Sequence, residues 1–278
     1  MMETWLDRKG WERIKGKLPK EYTWKVQEAK RRNRKGRACG GMLMGIRKGM
    51  EIEEEEGEEE EGRIKCVVRV GGRKWRIVGV YVNGDMDRKM EGVKGWMEER
   101  EGDRRTIIGG DFNARTGEEG GGEEVEENKG IEKGRKSKDK VVNKEGRKLI
   151  QVIEERGWQI LNGNIRGDEV GDWTYTGGRG QTVIDYVLGD REVRSDIEKM
   201  ETGDEIDSDH FPIIIWLKGE TKKRGEKVRG KEVRKFKYLG YMVQGNGGQE
   251  GQIRDRRRKA AVAMREIWGI GKRMFGKE

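Results

Sequence analysis

Most apolar runs in this chain are short, rich in β-branched residues, and abut a cluster of acidic, amide or histidine side chains. Ile77-Val78-Gly79-Val80-Tyr81-Val82 runs into Asn83. Thr106-Ile107-Ile108 runs into Gly109-Gly110-Asp111-Phe112-Asn113. Asp185-Tyr186 lies beside Val183-Ile184, and Ser208-Asp209-His210 stands before Ile213-Ile214-Ile215-Trp216-Leu217. Runs of this length are strands rather than helices. A chain built from them must bury its apolar residues between sheets, and its polar clusters then sit where a scaffold presents functional groups.

Other segments fill in the order. Gly40–Ile46 is of buried-strand length. Ile64–Val70 and Trp75–Val82, joined through Gly71-Gly72, read as a hairpin. Residues 86–100 read as a helix, weakened by Gly92 and Gly95. Asn143 is placed to cap a second helix carrying Leu149, Ile150 and Ile153, which closes near Gly157. Trp158–Leu161 is a further strand, and residues 172–188 read as two strands around Gly177-Gly178. Met1–Leu6 reads as the end of a strand. Residues 51–61, dense in Glu, and 117–140, rich in Gly, Glu and Lys, are expected to be loops, the second one mobile. The order is a mixed α/β domain with helices outside packed sheets.

Composition tests whether such a core exists. With 41% charged and 32% hydrophobic residues the chain resembles a disordered one. Nine Trp, the β-branched runs and only two Pro argue for a folded domain. Cys39 and Cys66 have no zinc-like spacing, so free thiols in a reducing compartment are expected. No run approaches membrane-spanning length, which predicts a soluble, intracellular, nuclear protein with no membrane partner. The net charge of +9 is concentrated after Leu217, where 19 Lys and Arg face 7 Asp and Glu. Such a tail suits a phosphate-rich partner, and equally a solubilising extension.

The polar clusters suit phosphodiester chemistry. Cutting a phosphodiester requires a metal to neutralise phosphate charge, an activated water and stabilisation of the leaving oxygen. Carboxylates suit Mg²⁺, an Asn amide orients phosphate or water without adding charge, and a His carries a proton. His210 is the only histidine and follows Asp209. Taken singly, each of these has a plain alternative: a structural histidine, a turn aspartate, a helix cap.

Taken in order, they resemble the endonuclease/exonuclease/phosphatase superfamily, and within it the apurinic/apyrimidinic-endonuclease-like domains of non-LTR retrotransposons. The motifs are Glu3-Thr4-Trp5, Tyr81-Val82-Asn83, Gly109-Gly110-Asp111-Phe112-Asn113-Ala114-Arg115-Thr116-Gly117, Val183-Ile184-Asp185-Tyr186-Val187 and Ser208-Asp209-His210-Phe211-Pro212-Ile213. The resemblance spans residues 1–217. It implies an α/β fold of two packed β-sheets flanked by helices, a four-layer α/β/β/α sandwich. It also implies roles. Glu3 binds Mg²⁺, with Mn²⁺ as the alternative. Asp111 positions or deprotonates the attacking water, and Asn113 contacts the phosphate. His210, oriented by Asp185, stabilises the transition state, and Asp209 supports metal or water. Tyr81 contacts the phosphate or aids the leaving group, and Arg115 contacts nucleic acid.

The family pattern begins with a core strand and an Asn motif upstream of the Glu motif, so an N-terminally truncated domain is expected. The remainder, residues 218–278, resembles a reverse-transcriptase C-terminal fragment through Phe236–Tyr241 and residues 249–275. It is expected to be basic and helical, with Arg254, Arg256, Arg257, Arg258 and Lys259 as nucleic-acid contacts. It holds no polymerase palm motif of the Asp-Asp type, so no polymerase partner follows. The implied activity is Mg²⁺-dependent nicking of DNA. The alternatives are an inactive nucleic-acid-binding remnant and a phosphatase acting on other phosphoesters. The sequence leaves the oligomeric state open.

Overall fold

The computed structural model describes residues 1–31, 38–53, 61–99, 102–122, 134–204 and 208–218, together with the backbone of two short strands in the tail. In chain order the elements are α1 (Arg8–Ile14), a 3-10 turn (Lys15–Lys17), β1 (Tyr22–Gln27), β2 (Lys30–Arg31), β3 (Ala38–Cys39), β4 (Met42–Arg47), β5 (Ile52–Glu53), β6 (Arg63–Val70) and β7 (Arg73–Tyr81). Then follow α2 (Met86–Glu98), β8 (Arg105–Asp111), α3 (Lys144–Glu154), β9 (Gln159–Ile160), β10 (Tyr175–Gly177), β11 (Gly180–Thr182), β12 (Asp185–Gly189), α4 (Arg191–Asp196), β13 (Ile197–Thr202) and β14 (Ile213–Leu217). The tail contributes β15 (Lys235–Tyr238) and β16 (Tyr241–Gln244).

A six-stranded sheet in the order β5-β6-β7-β8-β12-β9 forms the centre. Only β7 and β8 run parallel. Parallel neighbours need a crossover connection, and α2 supplies it. Alternate residues of the central strands face opposite sides. Val78, Val80, Ile108, Tyr186 and Leu188 join one core with Met90 and Val93 of α2 and Leu149 and Ile153 of α3. Trp75, Ile107 and Val187 point the other way, into a second core with Ile46 of β4, Ile197 and Met200 of β13, and the side chains of β14. Burial on both faces explains why these strands read as continuous apolar runs.

The second β layer consists of two antiparallel pairs, β1–β4 and β13–β14. Met42, Met44 and Ile46 of β4 face the central sheet, while Leu43 faces outward to Trp24, Val26, Leu18 and Trp11 of α1. The layers are therefore α2 and α3, the six-stranded sheet, the paired strands, and α1: the four-layer α/β/β/α sandwich expected from the sequence. The second layer differs from a single sheet, because β4 and β14 are not hydrogen-bonded to each other.

Several local expectations hold. Both glycines of the β6–β7 turn have positive φ, +60° at Gly71 and +80° at Gly72, as a two-residue hairpin turn requires. The Asn143 side chain caps α3 by accepting from Gly146 N–H at 2.7 Å. Others are corrected. Met1–Leu6 is not a strand: Glu3 and Trp5 have φ of +50° and +51°, which breaks the extended backbone. The segment still lies along Gly40–Leu43, with Thr4 and Trp5 N–H donating to Gly41 and Gly40 carbonyls. Residues 172–188 hold three strands, because β10–β11 is a short hairpin separate from β12.

The stretch 117–140 is not simply a mobile loop. Residues 123–133 lie outside the described residues, but Arg135, Ser137 and Asp139 are buried. In the tail the described backbone is one antiparallel pair of short strands, β15–β16. The segment expected to be helical, with Arg254, Arg256, Arg257, Arg258 and Lys259, lies outside the described residues. So do Arg32–Arg37 and most of the Glu-rich run. No helix among the described residues is long and apolar enough to cross a membrane.

Candidate active site

The register of the central sheet assembles the site. Tyr81 is the last residue of β7, Asp111 the last of β8 and Asp185 the first of β12. Tyr81 pairs with Asp111 and Asp111 pairs with Asp185. Three functional side chains thus form one row across three adjacent strands, all at one end of the sheet. Gly110 makes the row possible. It has φ +156°, and a Cβ there would stand 1.9 Å from the Val80 carbonyl oxygen. Only glycine lets β8 approach β7 so closely.

His210 reaches the row from the loop before β14. That loop is tied to the start of β10: Thr176 N–H donates to the Asp209 carbonyl and Phe211 N–H to the Thr174 carbonyl, both at 2.8 Å. The Tyr175 ring lies 4.8 Å from the imidazole, tilted by 59°. His210 Nδ1 is 3.0 and 3.1 Å from the two Asp185 carboxylate oxygens. Nε2 is 4.0 Å from Asp111 Oδ2, beyond hydrogen-bond reach and open to a bridging oxygen.

The loop after β8 is built to hold Asp111. Asn113 is one of three non-glycine residues with positive φ among the described residues, and the others, Glu3 and Trp5, are in the N-terminal segment beside it. Its backbone N–H donates to Asp111 Oδ1 at 2.9 Å. Its amide nitrogen donates to Asp111 Oδ2 at 3.2 Å and to the Val82 carbonyl at 2.8 Å. Both amide hydrogens are therefore committed to holding Asp111 and the end of β7. Tyr186 braces the next turn, its hydroxyl bonded to Val183, Ala114 and Thr116.

The N-terminal segment brings Glu3 alongside, and its carboxylate accepts the Tyr81 hydroxyl hydrogen. Asp111 N–H lies 3.2 Å from the Met2 sulfur. Asp209 is exposed, and its charge reaches both His210 and Asp185.

Electrostatics follow from packing carboxylates together. Asp111, only 4% exposed, is pushed up to about 7 by burial and then by the Asp185 charge. The Asn113 N–H and His210 offset part of this, while Glu3 adds to it. Burial also raises Asp185, against the bonds from His210 and Thr174. For His210, burial pulls downward, but the bond to Asp185 and the charges of Asp185, Asp111 and Asp209 win and raise it to about 9. Tyr81 is raised by burial and then by its bond to Glu3, so it keeps its proton at neutral pH.

Four carboxylates around a single imidazolium leave negative charge uncompensated, and carboxylate oxygens are the main potential ligands. This donor set suits a hard divalent cation such as Mg²⁺. Among the described residues no three His, Cys, Asp or Glu converge closely enough to encase an ion. Mg²⁺ commonly keeps several waters and takes one or two carboxylates, and Glu3 and Asp111, whose charges act on one another, are the residues that would hold it.

Arg115 behaves differently from expectation. Its guanidinium makes a bidentate pair with Asp139, at 2.7 and 2.6 Å, and Asp139 is 3% exposed. Asp139 in turn accepts from Val183 N–H at 3.2 Å, so this pair links the Asp111 loop to the strand carrying Asp185. Two more residues belong here: Asn83, named in the Tyr81 motif without a role, and Thr174, which sequence reading passed over. Asn83 stands beside the Tyr81 hydroxyl, and the buried Thr174 hydroxyl oxygen accepts from Ile184 and Asp185 N–H at 3.0 Å. Asn83 was signalled by following the Tyr81 run; nothing in the spacing marked Thr174.

Comparison with known proteins bears on the fold and the family. No curated protein matches the chain. The endonuclease domain of TRAS1, a telomere-specific non-LTR retrotransposon, has 18% identity and a TM-score of 0.51, over 70% of this chain and 78% of that one. The AP endonuclease LMAP from Leishmania major has 13% identity and a TM-score of 0.54, over 78% and 76%. At such identity these show a shared fold. The endonuclease-reverse transcriptase family model matches residues 75–214, which include Tyr81, Asp111, Asn113, Asp185, Asp209 and His210. The chain belongs to the endonuclease-reverse transcriptase family, within the endonuclease/exonuclease/phosphatase superfamily.

Proposed function

We propose that the chain is a Mg²⁺-dependent phosphodiesterase that nicks DNA, with Mn²⁺ able to substitute. The observation that supports this best is the row of Asp111 and Asp185 with His210 bonded to one and 4.0 Å from the other. It joins a carboxylate poised as a base near neutral pH to an imidazolium held by its own carboxylate. The TRAS1 domain and the Leishmania enzyme are described as a retrotransposon endonuclease and an AP endonuclease, which favours DNA as the substrate.

Asp111 takes a proton from the attacking water, and its raised pKa makes it a base matched to neutral pH. Asn113 fixes the orientation of that carboxylate. Glu3 and Asp111 would hold a divalent cation, with Asp209 in support, and such an ion would supply the positive charge that phosphate needs. His210 donates from Nε2 to a phosphate oxygen, so negative charge building in the transition state meets a fixed donor. Asp185 holds the imidazolium in place. Tyr81, protonated at neutral pH, would turn its O–H from Glu3 to the phosphate or the departing oxygen when substrate is bound. In-line attack of water at phosphorus breaks the bond to the 3′ oxygen, and leaves a 5′-phosphate and a 3′-hydroxyl.

Supercoiled plasmid tests this. Relaxation to the nicked circle in Mg²⁺ but not EDTA, with nicks that DNA ligase alone reseals, supports the reading. Binding without nicking by a folded protein would overturn it and leave a nucleic-acid-binding remnant.

A further inference from the structure

Thr174 is fully buried where three segments of the site meet. Its N–H donates to the Thr182 carbonyl at the end of β11, at 3.1 Å. Its carbonyl accepts from Phe211 N–H, one residue after His210, at 2.8 Å. Its hydroxyl oxygen accepts from both Ile184 N–H and Asp185 N–H at 3.0 Å. A hydroxyl has two lone pairs and one hydrogen. Main-chain donors occupy both lone pairs, and one of those donors is Asp185 itself. Asp185 is thus held at its backbone by this one oxygen atom. The β-branched side chain that carries this oxygen is stiff at χ1.

We propose that Thr174 is a positioning residue: its hydroxyl oxygen fixes the backbone of Asp185, and with it the place from which the carboxylate meets His210 and the direction in which His210 presents Nε2. It touches no reacting atom. This inference rests on the roles given above to Asp185 and His210. A packing role and a positioning role make opposite demands. Packing requires the branched shape, which valine keeps; positioning requires the hydroxyl oxygen as acceptor, which serine keeps.

The test uses the full chain, with folding of each variant checked by thermal melting. The chain has one histidine, so a downfield imidazole Nδ1–H proton resonance belongs to His210 alone. Wild type and Thr174→Ser are expected to show that resonance and to nick at similar rates. Thr174→Val should lose or shift the resonance and lower kcat about 10-fold or more with KM little changed. It should add nothing in an Asp185→Asn background. Should the valine variant not fold, Thr174→Cys, of similar size to serine but a weak acceptor, is read in its place with the same loss expected. An unchanged resonance and rate in Thr174→Val, an equal loss in Thr174→Ser, or an additive loss on Asp185→Asn would each overturn the proposal. If the wild type fails to nick, the hydrolase reading fails, while the resonance still decides whether Thr174 positions His210.

Discussion

Asp111 and Asp185 are directly opposed on neighbouring antiparallel strands, a placement of like charges that costs a sheet stability, and a single histidine bridges the space beside them. The arrangement is costly for the fold and useful for chemistry, and that tension makes it testable. Asp111→Asn keeps the shape and removes one charge. At pH 8 in EDTA it should raise stability by roughly 1 kcal/mol and abolish nicking. Chemical denaturation alongside an activity assay checks both; a destabilised Asp111→Asn protein would contradict the electrostatic account.

Acidity gives a second prediction. Asp111 is raised to about 7 in the fold, so between its ordinary carboxylate range and 7 the folded state binds more protons than the unfolded state. Stability therefore falls as pH rises through that window. His210, raised to about 9, contributes stability that is complete below its ordinary value near 6.5 and disappears as pH rises through 9. Both slopes have the same sign. The metal-free protein should lose melting temperature steadily from pH 5 to 9. Asp111→Asn should flatten the lower part of that curve and His210→Gln the upper part.

The Arg115–Asp139 pair separates a scaffold role from a nucleic-acid contact. Removing Arg115 leaves a buried carboxylate without its partner. Arg115→Ala should destabilise the free protein by roughly 2 to 3 kcal/mol, toward the low side for a broken buried pair because Arg115 keeps part of its surface in water. Adding Asp139→Asn should recover part of the loss. A full-stability Arg115→Ala protein with weakened DNA binding would reverse the assignment.

Gly110 carries a steric prediction. A methyl group there would overlap the Val80 carbonyl at 1.9 Å, so β7 and β8 would have to separate at the site. Gly110→Ala should cost at least about 2 kcal/mol and reduce nicking further than the stability loss explains. A crystal structure of the variant with Tyr81 and Asp111 still paired would contradict this.

The central strands and most site residues were legible in the sequence for a physical reason. Strands buried on both faces must be apolar throughout, so Ile77–Val82 and Thr106–Ile108 stand out, and the polar groups that end them are the ones the register aligns. What stayed hidden depends on contacts between distant segments. Tyr22–Gln27 and Ile197–Thr202 alternate weakly because each belongs to a two-stranded pair with only one well-buried face. The positive φ of Glu3 and Trp5 follows from docking against Gly40–Leu43, which no local pattern records. Arg115 looked like a free cation until the fold brought Asp139, 24 residues away, beneath it. Thr174 carries no motif and acquires its place only when β11, β12 and the His210 loop converge.

The account depends most on Asp111, Asp185 and His210 acting as one unit. Single-turnover nicking of supercoiled DNA by the wild type, Asp185→Asn, His210→Ala and the double variant tests this directly. The account predicts Mg²⁺-dependent nicking that falls about 100- to 10,000-fold in His210→Ala, with no further fall when Asp185→Asn is added. Wild-type rates in His210→Ala, or losses that simply multiply in the double variant, would contradict it.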